Sequence, residues 1–192
     1  GHNEESGIAT VYALTMYGEY GFENRNFVKV SGSGIIPVVF TFMNSENGLV
    51  CTKMEDPEDG ARYGDSIRRL FPPEYLDRAL SPTNSDLQDL KSQEREYAAS
   101  YLKEIGRDAV IGDYGDFEHT LLTDVGVSVE VSNSINDKQF ANYPMWIGNR
   151  EVLENEIRYV YEMSYHEEEH EIVFKKYEYD TNKIVEFTRL DS

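Results

Sequence analysis

The residues whose spacing most suggests chemistry are His166-Glu167-Glu168-Glu169-His170, which spell the H-E-x-x-H string of zinc peptidases. On a helix that spacing sets both imidazoles on one face to hold Zn²⁺ and leaves the first Glu as general base. The chemistry therefore needs a helix, and the flanks argue for strands. Ile157, Tyr159, Tyr161, Met163 and Tyr165 alternate with Arg158, Val160, Glu162 and Ser164, and residues 172–179 form a second strand-like run. Two strands around a short charged stretch predict a hairpin with residues 166–170 at its tip. A helix over residues 151–171 would instead scatter Tyr159, Met163 and Tyr165 around its circumference. Glu169 also stands where those peptidases carry a small residue. His166, Glu167 and His170 are the candidate metal ligands, but a solvated loop is the expected reading, with no metal, no cofactor and no catalytic residue assigned.

The other chemically suggestive positions have structural explanations too. Residues 55–60 and 113–118 cluster acids that could offer oxygens to Ca²⁺, yet neither keeps the alternating-ligand pattern of an EF-hand loop. His119 precedes a valine-rich stretch and is read as a hydrogen-bonded structural residue rather than a base. Cys51, the only cysteine, lies in a strand-like run and is expected to be a small core residue. Met145-Trp146 follows Pro144, and its apolar-aromatic turn is assigned to the core.

Charge narrows the partners. The 36 acidic and 18 basic side chains leave a net charge of −18, which repels nucleic-acid phosphates and anionic lipid alike. The longest strongly apolar run, residues 35–40, is far short of the ~20 residues of a spanning helix, so no direct membrane insertion of the chain is expected. One cysteine permits no intramolecular disulfide, and stability must come from packing.

Residues 8–17, 27–30, 35–43 and 49–54 read as strands, with Asn47-Gly48 as a hairpin signal and Pro37 marking a strand start, bulge or edge. The middle reads as helices. Asp65 or Ser66 caps a short one, Pro72-Pro73 ends it and opens another over residues 74–80, and Ser85 with Gln88 forms a capping box for a long helix over residues 86–105. Leu87, Leu90, Tyr97, Ala98, Tyr101 and Ile105 supply its apolar stripe, with Lys91, Glu94, Lys103 and Glu104 on the wetter side. Val125, Val127, Val129 and Val131 alternate as a strand would, Asn149 is placed to cap a short helix over residues 150–154, and the C-terminal strands form a β-meander with one apolar-aromatic face. The expected fold is α+β: a mainly antiparallel sheet, built from the N-terminal strands and the C-terminal meander, packed by central helices. A single domain over residues 8–192 is expected. Residues 1–7, which begin Gly-His without Met as a cleaved tag would, are expected to be a disordered tail.

Residues 55–72, Glu-Asp-Pro-Glu-Asp-Gly-Ala-Arg-Tyr-Gly-Asp-Ser-Ile-Arg-Arg-Leu-Phe-Pro, carry the pattern P-x-D-G-x-x-Y-x-x-S-I-x-x-x-F-P. The segment resembles one in uncharacterised extracytoplasmic domains of Gram-positive bacteria, some attached to membrane-bound sensor or lipoprotein chains. The resemblance implies a non-enzymatic bacterial module outside the cytoplasm, and the Met-less start adds the expectation that it is secreted or anchored through a removed N-terminal segment. With no convincing catalytic constellation, the expected function is non-enzymatic binding or sensing of an unknown protein or small-molecule partner. The alternatives are an acidic cytoplasmic inhibitor of a basic protein, of the immunity type, and, more remotely, a zinc peptidase.

Overall fold

Apolar–polar alternation becomes strand wherever the chain can reverse, and here it reverses at residues that tolerate left-handed backbone. A computed structural model of the protein describes residues 2–5, 7–46, 48–135 and 140–192. Six strands come first: β1 (His2–Glu5), β2 (Ile8–Thr15), β3 (Gly18–Glu23), β4 (Asn26–Gly32), β5 (Ile36–Ser45) and β6 (Gly48–Glu55). Helices α1 (Tyr63–Leu70), α2 (Pro73–Leu80) and α3 (Asn84–Glu104) follow, then β7 (Ile111–Asp113), α4 (Val129–Ser134), β8 (Gly148–Glu154), β9 (Ile157–His166), β10 (Glu171–Glu178) and β11 (Ile184–Asp191). This is an α+β fold dominated by antiparallel pairing, with α1–α3 falling between sheet segments. Among the described residues no helix is long and apolar enough to cross a membrane. The chain gathers into two compact units, residues 1–18 with 31–101, and residues 19–30 with 102–192.

The first unit holds an antiparallel sheet in the order β1-β2-β5-β6. In the stretch read from sequence as a tail, β1 pairs with β2. Tyr12 lies opposite Val39, and their face receives α1 and α2: Val39, Ile67, Phe71 and Ala79 are buried together, with Tyr12, Leu70, Tyr75 and Leu76 packed around them. Pro37 pairs with Leu14 of β2, while the β6 ladder begins only at Val39. The missing N–H therefore falls at the start of the strand, where Pro is tolerated. The hairpin between β5 and β6 forms as expected, although Asn47 itself lies outside the described residues. Cys51 corrects the sequence expectation. It is exposed because β6 is the edge strand and the helices cover β2 and β5 instead.

Three helical expectations also change. Ser66 does not cap α1 but sits inside it, buried, donating to Tyr63 O and accepting from Glu58 N. Helix α3 starts at Asn84, and its capping box is Thr83 with Asp86 rather than Ser85 with Gln88. Its buried side is rotated: Ala98 and Leu102 are buried and Lys91 and Glu94 half-buried, while Tyr97 is 75% exposed and Tyr101 is exposed. Positions 87, 91, 94, 98, 102 and 105 keep helical spacing, and half-burial suits long Lys and Glu side chains, whose methylene stems are apolar while their charge stays wet.

The second unit holds the sheet β11-β10-β9-β8-β3-β4-β7, in which β11, β10, β9, β8 and β3 pair antiparallel in succession and β4 pairs parallel with β7. The C-terminal meander is as expected. Asn155 and Glu156, at φ +50° and +70°, close the β8–β9 hairpin, the left-handed pair that a two-residue hairpin loop requires. Residues 150–154 are therefore strand, not the helix that Asn149 was expected to cap. The valine run is not a strand either. Residues 122–125 make a 3₁₀ turn, Gly126 reverses the chain at φ +89°, and the Ser128 hydroxyl caps α4 by accepting from Val131 N. Val127 then joins Leu122, Ile135, Phe140 and Tyr143 over Tyr161, Met163, Ile172 and Phe174 in one core.

Candidate functional site

The hairpin of residues 157–178 places the H-E-x-x-H string in a turn. His166 ends β9 opposite Glu171, and His170, left-handed at φ +52°, donates its backbone N–H to Glu167 O at 3.4 Å. All five residues of the string are exposed. In this geometry the spacing does not set both imidazoles on one helix face. Among the described residues no group of three or more His, Cys, Asp or Glu side chains is placed to hold a metal ion. Each acidic cluster has a carboxylate engaged by its own neighbours. Glu58 accepts from Arg69 at 2.9 Å and pairs with Arg62 at 3.1 Å, the Arg69 hydrogen bond and then the Arg62 charge holding its carboxyl below the usual range. Asp116 accepts from Asp113 N at 2.9 Å.

A groove of about 430 Å³ opens in the first unit between β2 and helices α2 and α3. Its volume lies in the range of small-molecule sites, roughly 300–1,000 Å³. Phe71, at the end of α1, and Tyr75, on α2, bracket Tyr12 of β2, with ring centroids 5.6 and 5.3 Å away. Leu14 and Leu90 extend this apolar wall. The polar wall is built around Asp86. Its Oδ1 accepts from Arg78 Nε at 3.0 Å and from the terminal Arg78 nitrogen, and its Oδ2 accepts from Thr83 N and Thr83 Oγ1, both at 2.8 Å. These bonds, that from Arg78 first and those from Thr83 next, hold the Asp86 carboxyl at about 2, and the same contact raises the pKa of Arg78. Glu74 and Asp89 complete the rim. Both are exposed, and neither carboxylate is hydrogen-bonded or ion-paired among the described residues.

The second unit encloses two further polar clusters. His119 stacks on Tyr114 with centroids 3.8 Å apart and meets the Trp146 edge at 4.6 Å. Its Nε2 is 3.5 Å from Glu23 Oε2, while Arg150 donates to Glu23 Oε1 at 3.1 Å. Trp146 is buried, as the sequence reading has it, whereas Met145 is exposed. In the other cluster, Tyr161 and Lys176 both donate to Glu154, the lysine at 2.9 Å. Burial, then the hydrogen bond to Glu154, raises the pKa of Tyr161. For Lys176, burial acts downward but is outweighed by hydrogen bonds to Tyr161 and Glu154, so its pKa is raised. Each member of this second cluster is committed to another, an arrangement that rigidifies a core.

Sequence alone points to His119 and Trp146 but not to Glu23, Arg78 or Asp86. Thr83-x-x-Asp86 is itself a capping-box signature; Arg78 and the aromatic wall carry no local signal, because residues 12, 71–78 and 86–93 meet only in the fold. Fold and site together define an α+β protein with a preformed groove. The chain matches no protein-family model, no curated protein and no solved structure.

Proposed function

We propose that the protein is a non-enzymatic binding or sensing module acting outside the cytoplasm, with its ligand seated in the groove of the first unit. The observation that carries this reading is the polar wall. Asp86 takes four hydrogen bonds from Arg78 and Thr83, so the wall is ordered before a ligand arrives and little conformational entropy is lost on binding. Aromatic and aliphatic side chains line the rest, the composition of a site that buries the apolar body of a small molecule. The resemblance of residues 55–72 supports the extracytoplasmic location.

A thermal-shift screen of drug-sized amphipathic compounds tests the site. Compounds that raise the melting temperature of the wild type should lose that effect in Leu90→Trp, which fills the groove, and keep it in Tyr97→Trp, on the exposed side of the same helix. A screen without stabilising compounds, or equal stabilisation of both variants, overturns the reading. Location is tested by fractionating cells that express the protein from its native gene, where recovery from the cytosol would remove that part.

A further inference from the structure

We infer that the ligand of this groove is a small organic cation with an apolar, aromatic-sized body. The inference rests on the groove being the binding site and adds the chemistry of what enters it. Arg78, the cation among the lining residues, spends its charge on Asp86 through two nitrogens. With that pair neutral, the carboxylates of Glu74 on α2 and Asp89 on α3 remain among the lining residues. Asp89 feels part of the Arg78 charge and Glu74 lies in the first turn of α2, but both are exposed and free to turn toward a cation that enters the groove.

An anion entering here would meet two like charges and a guanidinium already engaged. A neutral molecule would fill the apolar wall but leave the rim unused. An ammonium group on an apolar stem uses both. The stem packs on Leu14, Leu90 and Phe71, and the cation lies within reach of the rim carboxylates and the faces of Tyr12 and Tyr75, where ring quadrupoles attract positive charge. The whole chain adds to this local field. At a net charge of −18 it draws cations toward its surface and speeds their capture, in a manner that salt suppresses.

Titration calorimetry with three probes of matched shape tests the proposal: 4-phenylbutylammonium, the neutral 4-phenylbutanol and the anionic 4-phenylbutyrate. The cation should bind about tenfold more tightly than the alcohol, the equivalent of one favourable charge contact, and the anion more weakly than either. Glu74→Gln with Asp89→Asn should bring the cation's affinity down to that of the alcohol and leave the alcohol unchanged. Both positions are exposed, and an unchanged circular dichroism spectrum would show the double variant folded. Equal affinities for the three probes, a preference for the anion, no binding of the cation, or a double variant that binds it undiminished overturns the cation inference. Loss of all probe binding in Leu90→Trp keeps the groove as the site even then, whereas probe binding that Leu90→Trp leaves intact removes the groove reading itself.

Discussion

Thr83 and Asp86 close the start of α3 on each other. The Thr83 hydroxyl accepts from Asp86 N at 3.2 Å and donates to Asp86 Oδ2 at 2.8 Å, and the same carboxylate oxygen accepts from Thr83 N at 2.8 Å. Helix N-termini leave backbone N–H groups without intrahelical partners, and this reciprocal pair satisfies two donors at once while placing a negative charge at the positive end of the helix dipole. Because Arg78 of α2 donates to the other oxygen, the cap also ties two consecutive helices at the groove wall.

Thr83→Ala should therefore cost about 1 kcal/mol, within the usual 0.5–2 kcal/mol for a lost N-cap, and Thr83→Ser much less. Urea unfolding of the two variants reads the difference directly. Equal midpoints would mean that the threonine hydroxyl does not hold the helix start.

The Asp86 carboxyl, held at about 2 against an ordinary 3.8, makes a pH prediction. A carboxyl whose folded pKa is depressed stabilises the fold at pH values above its unfolded pKa, and that contribution disappears as pH falls through the folded value. The gap in urea midpoint between wild type and Asp86→Asn should be widest above pH 4 and narrow steadily toward pH 2. A gap independent of pH across that window would contradict the assignment.

Glu151 is held by two arginines in the second unit. Arg107 donates to both its oxygens, at 2.5 and 2.8 Å, and Arg158 donates at 3.0 Å; the Glu151 side chain is only 7% exposed. Removing one partner of a buried pair strands the other charge, at a cost of about 3–5 kcal/mol. Glu151→Leu should approach that figure, and Arg158→Met should cost clearly less because Arg107 still pairs. If chemical denaturation found Glu151→Leu to cost less than about 1 kcal/mol, the cluster would be behaving as an exposed pair.

Tyr143 predicts the alkaline limit. Burial, then the Glu186 charge, pushes its phenol up to about 12 from 10.0. A phenol raised in the fold leaves stability intact below pH 10, and stability falls as pH rises from 10 toward 12, because only the unfolded chain ionises readily there. Tyr143→Phe should flatten part of that decline in melting temperature, with Tyr114, Tyr161 and Tyr177, whose pKa values burial also raises, contributing to what is left. An identical decline in both proteins would exclude Tyr143 as a contributor.

The rotated face of α3 is checked by one pair of variants. Leu102→Ala should cost about 2–5 kcal/mol as a buried truncation, and Tyr97→Ala should stay within about 0.5 kcal/mol. Reversed magnitudes would restore the stripe that the sequence suggests.

Amino-acid order alone dictates only what near neighbours decide. Strict alternation in residues 157–165 and 172–179 dictates two strands, and the charged residues between them dictate the turn, so the hairpin with His166 and His170 at its tip was legible because period-two patterning and turn chemistry act on neighbours. The length of α3 was legible for the same reason, since its helical spacing and the Gly106 stop lie within one segment. Its orientation was not: Tyr97 and Lys91 are each compatible with a buried or an exposed face, and packing chose the lysine stem over the ring. The valine run shows the converse. Its alternation matches a strand, but Gly126 and the Ser128 cap offer a turn and a helix, and the core formed with Met163, Ile172 and Phe174 needed Val127 alone from that run fully inside. The groove belongs wholly to the tertiary structure. Tyr12 comes from β2, Tyr75 and Arg78 from α2 and Asp86 from α3, and only the register that sets Tyr12 against Val39, with α1 and α2 laid over that face, brings their side chains around one space.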